Sequence, residues 1–155
     1  MAKVLISLGT NLGDKSLNLN NAIAHINNSI GLVAQKSSIY ETKPWGFESF
    51  NNFLNQVIVI QTSLAPIELM KELLQLERAM GRIRDKAGYQ DRLIDIDILF
   101  YDDLVINAND VTIPHPKLHL RKFILEPLAE IEPELRHPVL NKTIKQLLTD
   151  LTTSR

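Results

Sequence analysis

Two strand–helix–strand units in succession constrain this chain more than any single residue does. Residues 3–8, "KVLISL", show no apolar–polar alternation, the pattern of a strand covered on both faces and so central in a sheet. "GTNLGDKS" reads as a turn. A helix follows near 15–29, with Leu19, Ala22, Ile23 and Ile26 on one stripe. Residues 32–41 form a weaker strand near an edge, and 53–60, "FLNQVIVI", form another. The second helix takes Pro66 in its first turn, stripes Met70, Leu73 and Leu74, and closes at Gly81. A basic loop leads into a strand over 93–101. A short hairpin in "YDDLVINANDVTI" and two short helices near 124–131 and 143–150 finish the chain. Two such halves with antiparallel neighbours build a ferredoxin-like α+β sandwich, one sheet with helices on one face.

Composition sets the outer limits. At 155 residues the chain has the usual size of one domain, and a formal net charge of −1 provides no global field for nucleic acid or anionic lipid. A phosphate ligand would have to be held by a local basic cluster. Cysteine is absent, which excludes disulfides, thiolate metal sites and thiol nucleophiles and suits a reducing cytoplasm. No apolar run approaches the length of a membrane span. The expectation is a single cytoplasmic domain over residues 1–155, with neither membrane nor nucleic acid as partner.

The strand "RLIDIDILFYDD" contains the first chemical anomaly. Asp95 and Asp97 interrupt isoleucine, leucine and phenylalanine, although a bare carboxylate in apolar surroundings costs several kcal/mol. Strand alternation puts Ile94, Ile96, Ile98 and Phe100 on a core face and both aspartates on the other, their Cα atoms roughly 7 Å apart. Such a pair can converge on a divalent cation. Magnesium takes one or two carboxylates together with substrate phosphates and water. A polar strip on a half-exposed sheet explains a lone D-x-D equally well, so the neighbours decide.

Those neighbours are basic. "ERAMGRIRDKAGYQDR" sets Arg78, Arg82, Arg84, Lys86 and Arg92 directly before the aspartates, and guanidinium forks match phosphate oxygens. Glu77 falls on the apolar stripe of its helix, where a carboxylate either pairs with a loop arginine or bounds a ligand site. Phe53 and Asn55, two apart on one strand, offer a ring and an amide to a flat heterocycle. His115 is held between two prolines, with Thr112 before it and Arg121 and Phe123 after it. "GTNLGDKS" imitates a P-loop, but Gly9 and Gly13 are a residue too close and Asp14 displaces the lysine, so no phosphate nest is encoded there.

In this order the motifs resemble those of the 6-hydroxymethyl-7,8-dihydropterin pyrophosphokinases of folate biosynthesis. The resemblance runs from "LISLGTNLGD" through "YETKPWGFESFNNFLN", "GRIRDKAGYQDRLIDIDILFYDD" and "PHP" to "RKFILEPLAEI". It implies transfer of pyrophosphate from ATP to the pterin hydroxymethyl group with release of AMP. On the matching positions Asp95 and Asp97 would hold two Mg²⁺ ions. Arg82, Arg92 and Arg84 would close on ATP, with Glu77, Ile98, Thr112, His115 and Arg121 also at the nucleotide. Phe53 and Phe123 would sandwich the pterin, while Asn55, Thr42, Pro44 and Trp45 read its edge. Tyr89 and Asp91 stand where the family's loop often has tryptophan and proline, Lys43 where a second proline is common, and Leu74 where some members carry glutamine. The resemblance also leaves room for association with other folate-pathway enzymes.

Two other functions fit the fold less well. A palm-like nucleotidyltransferase needs a basic strand channel, against a net charge of −1. An RNA-binding module of this topology should carry an RNP1-like strand, and none occurs. A metabolite sensor gives no reason for two aspartates and three arginines at one locus.

Overall fold

The computed structural model describes residues 1–43, 52–81, 93–108 and 110–153. Strand β1 (Ala2–Thr10) is central, paired antiparallel with β4 (Phe53–Thr62) on one side and β5 (Asp95–Tyr101) on the other. Beyond β4 lie β2 (Leu32–Lys36) and β3 (Tyr40–Thr42), which share its outer edge; the strand order is β2-β4-β1-β5. This is the antiparallel ferredoxin-like arrangement that the element order predicts. The expected 32–41 strand is two strands because Ser37 interrupts it. Its main-chain N–H donates to the Val57 carbonyl at 2.8 Å, and its Oγ accepts from the Val57 N–H at 3.0 Å.

Helix α1 (Lys15–Ser29) starts at Asp14, whose carboxylate accepts the Leu17 N–H at 3.2 Å. Helix α2 (Pro66–Ala79) has no side-chain oxygen at its N-cap. Instead Glu68 Oε1 accepts the Ala65 N–H at 3.1 Å, and Gly81 beyond its C-terminus takes the left-handed φ of 98°. Both helices pack on one face, where Leu19, Ile26, Leu69 and Leu73 meet Val4, Ile6, Leu8, Ile58, Ile60, Ile96 and Ile98. Strands β6 (Ile106–Asn107) and β7 (Thr112–Ile113) form the expected hairpin.

Two expectations need correction. The helices do not keep to one face: α3 (Lys122–Ile131) and α4 (Ile144–Thr153) cover the other, burying Leu5, Val57, Val59, Leu99 and Phe100 beneath Ile124, Leu125, Leu128, Ile144 and Leu147. Nor does Phe100 share a face with Ile94, Ile96 and Ile98. A β-bulge opposite Leu5 and Ile6 pairs Ile98 with Ile6 and Phe100 with Leu5, leaving Leu99 as the extra residue. Leu99 and Phe100 therefore both enter the second core, and Tyr101 returns to the first.

Candidate active site

The second face changes character along its length. Near one end it is apolar and roofed by α3 and α4. Towards the other end the same face presents Ser7 and Gly9 from β1, Phe53 and Asn55 from β4, and Asp95 and Asp97 from β5, all lining one cleft. Strand alternation forces this sharing, because each pair is two residues apart. The register places Asn55 opposite Gly9 and Gly9 opposite Asp95, with Asp97 opposite Ser7. Gly9 thus occupies the middle of a three-strand row, and the missing side chain opens a trough between the amide and the carboxylate. A Cβ there would lie 3.3 Å from Asn55 Oδ1 and 3.7 Å from Phe53 Cδ1.

The walls are tied down. Asn55 is buried and its Nδ2 donates to Thr42 Oγ1 at 2.7 Å, which leaves its carbonyl oxygen facing the trough. Phe123, at the start of α3, lines the cleft from above the sheet, with the buried Arg121 guanidinium 5.8 Å over its ring centre. Two aromatic residues from different elements, Phe53 and Phe123, therefore face one space. Asp95 and Asp97 are half-buried, which answers their cost: they line an open cleft and not the core.

The structure brings Thr42, Phe53, Asn55, Asp95, Asp97, Arg121 and Phe123 to this cleft. Glu77, Ile98, Thr112 and His115 do not line it; they gather around β5. Glu77 is buried and accepts the Ile96 N–H at 2.7 Å. The Ile98 side chain is core, so any ligand contact there must come from its main chain. Thr112 belongs to β7. The His115 N–H donates to the Leu99 carbonyl at 3.0 Å, and its Nδ1 accepts the Lys117 N–H at 3.1 Å, which leaves the ring proton on Nε2. Burial, then the Arg121 charge, lower the imidazole to about 4 against an opposing pull from Asp95, so His115 is neutral at pH 7. Pro44, Trp45, Arg82, Arg84 and Arg92 lie outside the described residues.

Gly9, Ser7 and Lys43 also line the cleft and were not among the expected site residues. Gly9 falls in the stretch that reads as a turn, whereas β1 runs through it to Thr10. A glycine inside a strand, where a ligand or another chain approaches closely, was the available signal.

Two carboxylates from alternate residues form a hard oxygen donor set suited to magnesium. Among the described residues no group of three or more histidine or acidic side chains is placed to hold a cation, so water and ligand oxygens would have to complete the coordination around the pair.

The model of a family described as 7,8-dihydro-6-hydroxymethylpterin-pyrophosphokinase (HPPK) matches residues 5–133. The chain belongs to this family. A 2-amino-4-hydroxy-6-hydroxymethyldihydropteridine pyrophosphokinase from Aquifex aeolicus is 40% identical over 98% of this chain and 94% of its own length. One from Methylorubrum extorquens is 36% identical over 99% of this chain and 96% of its own. Among solved structures, an HPPK-DHPS in complex with substrates superposes with a TM-score of 0.77 at 17% identity, covering 96% of this chain. A Plasmodium falciparum HPPK-DHPS gives 0.79 at 18% identity over 96% of this chain. The present chain spans 43% of the length of each, and at such identity these likenesses concern the fold of the pyrophosphokinase part. Among the described residues no helix of this pyrophosphokinase is long and apolar enough to cross a membrane.

Proposed function

We propose that this pyrophosphokinase joins its two substrates across the Gly9 trough, pterin on the Asn55 side and triphosphate on the Asp95 side. As a member of its family the enzyme transfers pyrophosphate from ATP to 6-hydroxymethyl-7,8-dihydropterin, a step of folate synthesis. The row Asn55–Gly9–Asp95 carries the spatial reading.

The pterin ring stacks between Phe53 and Phe123. Asn55, locked by Thr42, reads its edge, with Pro44 and Trp45 completing that side. Asp95 and Asp97 would hold two Mg²⁺ ions, which would supply polarisation of the phosphates. Arg121 adds a fixed charge beside the carboxylates, Arg82, Arg84 and Arg92 approach the triphosphate from the preceding segment, and His115 donates from Nε2 as a neutral group. The nucleotide lies along β5, where Ile98 offers main-chain groups beside Glu77 and Thr112. In the reaction the hydroxymethyl oxygen bonds to the β-phosphorus and gives up its proton to water, and the bond from that phosphorus to the α–β bridging oxygen breaks, so the bridging oxygen leaves with AMP. Positioning and charge neutralisation are what this chemistry asks of the protein, and no nucleophilic side chain is needed. Since HPPK-DHPS chains join two such activities, we also place this enzyme in association with other folate-pathway enzymes.

Purified protein given ATP, Mg²⁺ and hydroxymethyl-dihydropterin should release AMP in step with pterin consumed. Release of ADP or free pyrophosphate, or AMP formed at the same rate without pterin, would contradict the reading.

A further inference from the structure

Among the described residues β5 ends the sheet order, and no strand pairs with the side of its backbone turned away from β1. Unsatisfied edge groups let a strand twist and shift, which a metal-holding strand cannot tolerate. Among the described residues, two contacts bear on this edge. The His115 N–H donates to the Leu99 carbonyl at 3.0 Å, and the Glu77 carboxylate accepts the Ile96 N–H at 2.7 Å. Ile96 is the residue between the two aspartates. Its N–H belongs to the peptide plane that also contains the Asp95 carbonyl, so holding that plane restrains the backbone from which the Asp95 side chain projects.

Glu77 is 1% exposed, next to Leu73 and Leu76 on the buried side of α2. A carboxylate in that setting is costly, and a leucine would extend the helix stripe at lower cost. The short charge-assisted bond to a main-chain donor is a use that leucine cannot replace. Lysine or arginine cannot accept the N–H, and aspartate is one methylene too short to reach from the same helix position.

We infer that Glu77 is a positioning residue for the metal-holding pair: by accepting the Ile96 N–H it locks the edge strand so that Asp95 and Asp97 point together into the cleft. The inference rests on the reading of Asp95 and Asp97 as metal ligands. It requires an acceptor oxygen on the residue 77 side chain facing the Ile96 N–H, and it acts through the strand without contact to the metal.

The test uses the full chain, ¹⁵N-labelled, with Mn²⁺ and a non-hydrolysable ATP analogue as probes. In the parent protein the Ile96 amide should exchange slowly with solvent, and bound Mn²⁺ should broaden the Asp95 and Asp97 amides. Glu77→Gln keeps an acceptor oxygen and should preserve both the protection and the Mn²⁺ affinity within about 3-fold, whereas Glu77→Met should expose the Ile96 amide and weaken Mn²⁺ about 10–100-fold, the usual effect of losing an outer-shell partner. Pterin affinity, read separately, should stay unchanged in both. An Ile96 amide that exchanges as an open edge amide in the parent, Gln losing as much Mn²⁺ affinity as Met, or Met binding Mn²⁺ as the parent does would each overturn the inference. If Glu77→Met does not fold, the parent exchange rate and the Gln variant decide it. Mn²⁺ that fails to broaden Asp95 and Asp97 in the parent would overturn the metal reading itself, a result distinct from failure of the Glu77 role.

Discussion

Asn55 and Asp95 flank one residue, Gly9, from opposite sides of the central strand. The amide we propose reads the pterin edge and the carboxylate we propose meets the triphosphate are thereby set two strand spacings apart, roughly 10 Å between Cα atoms. The glycine between them leaves the trough open, where the proposed reaction would take place.

Filling that trough should weaken pterin binding more than it weakens the fold. In Gly9→Ala the new Cβ sits 3.3 Å from Asn55 Oδ1, and Asn55 cannot yield freely because Thr42 holds its amide at 2.7 Å. The methyl takes up trough space, so pterin Kd should rise about 10-fold, and overpacking against Asn55 should also cost the fold about 1 kcal/mol, a fall of a few degrees in melting temperature. Isothermal calorimetry with pterin, beside a thermal melt, checks both parts.

The neutral state of His115 predicts a pH dependence of stability. Its imidazole titrates near 4 in the folded protein and near 6.5 when unfolded, so below pH 6.5 the unfolded chain binds a proton that the native state refuses. Stability contributed by this group is therefore full above pH 6.5 and falls as pH drops toward 4, with a limiting slope of about 1.4 kcal/mol per pH unit. His115→Asn keeps an acceptor for the Lys117 N–H and removes the titration. Urea unfolding at pH 7.5, 6 and 5 should show a shallower loss in the variant than in the parent, both retaining His137, which is also lowered by burial.

Glu130 ties α3 to the gap between β2 and β3. Its carboxylate accepts from the Ser38 N–H at 3.0 Å, the Ser38 hydroxyl at 2.9 Å and the Tyr40 hydroxyl at 2.8 Å. Burial works to raise this carboxyl, but the bonds from Tyr40 and Ser38 outweigh it and hold it below the ordinary glutamate value. The contribution is present above the unfolded pKa and is lost as pH falls through the folded one. Because the group is solvent-exposed, Glu130→Ala should cost about 1 kcal/mol at pH 7, and the difference from the parent should shrink below pH 4. The same clamp spaces Thr42 on β3 from Phe123 on α3, so the variant should also bind pterin more weakly. Urea unfolding at the two pH values and a pterin titration test both effects.

What the sequence made legible follows from periodicity. The helices over Lys15–Ser29 and Pro66–Ala79 declare themselves by stripes and end signals, and the central place of β1 by its unbroken apolar run. The site was legible where residue types are unusual for their position: Asp95 and Asp97 inside an apolar strand, and an asparagine two residues from a phenylalanine. Features that depend on pairing between distant segments were not. The bulge that moves Phe100 to the second core exists only against Leu5 and Ile6, and nothing local to residues 93–101 encodes it. Helices α3 and α4 are amphipathic in any setting, so their stripes cannot say which face of the sheet they cover. Gly9 looked like part of a turn because strand β1 continues into glycine and threonine, which alone favour neither state. Glu77 announced that something unusual occurs on α2, but the Ile96 main-chain N–H that it accepts carries no residue-specific signature.

The aspartate pair bears the account, and binding measured separately for each substrate tests it most directly. Asp95→Ala and Asp97→Ala should lose Mg²⁺-dependent binding of a non-hydrolysable ATP analogue and nearly abolish AMP release, while pterin binding stays within about 3-fold, less than 1 kcal/mol, of the parent. Either variant turning over near the parent rate, with its nucleotide affinity still responding to Mg²⁺, would contradict it.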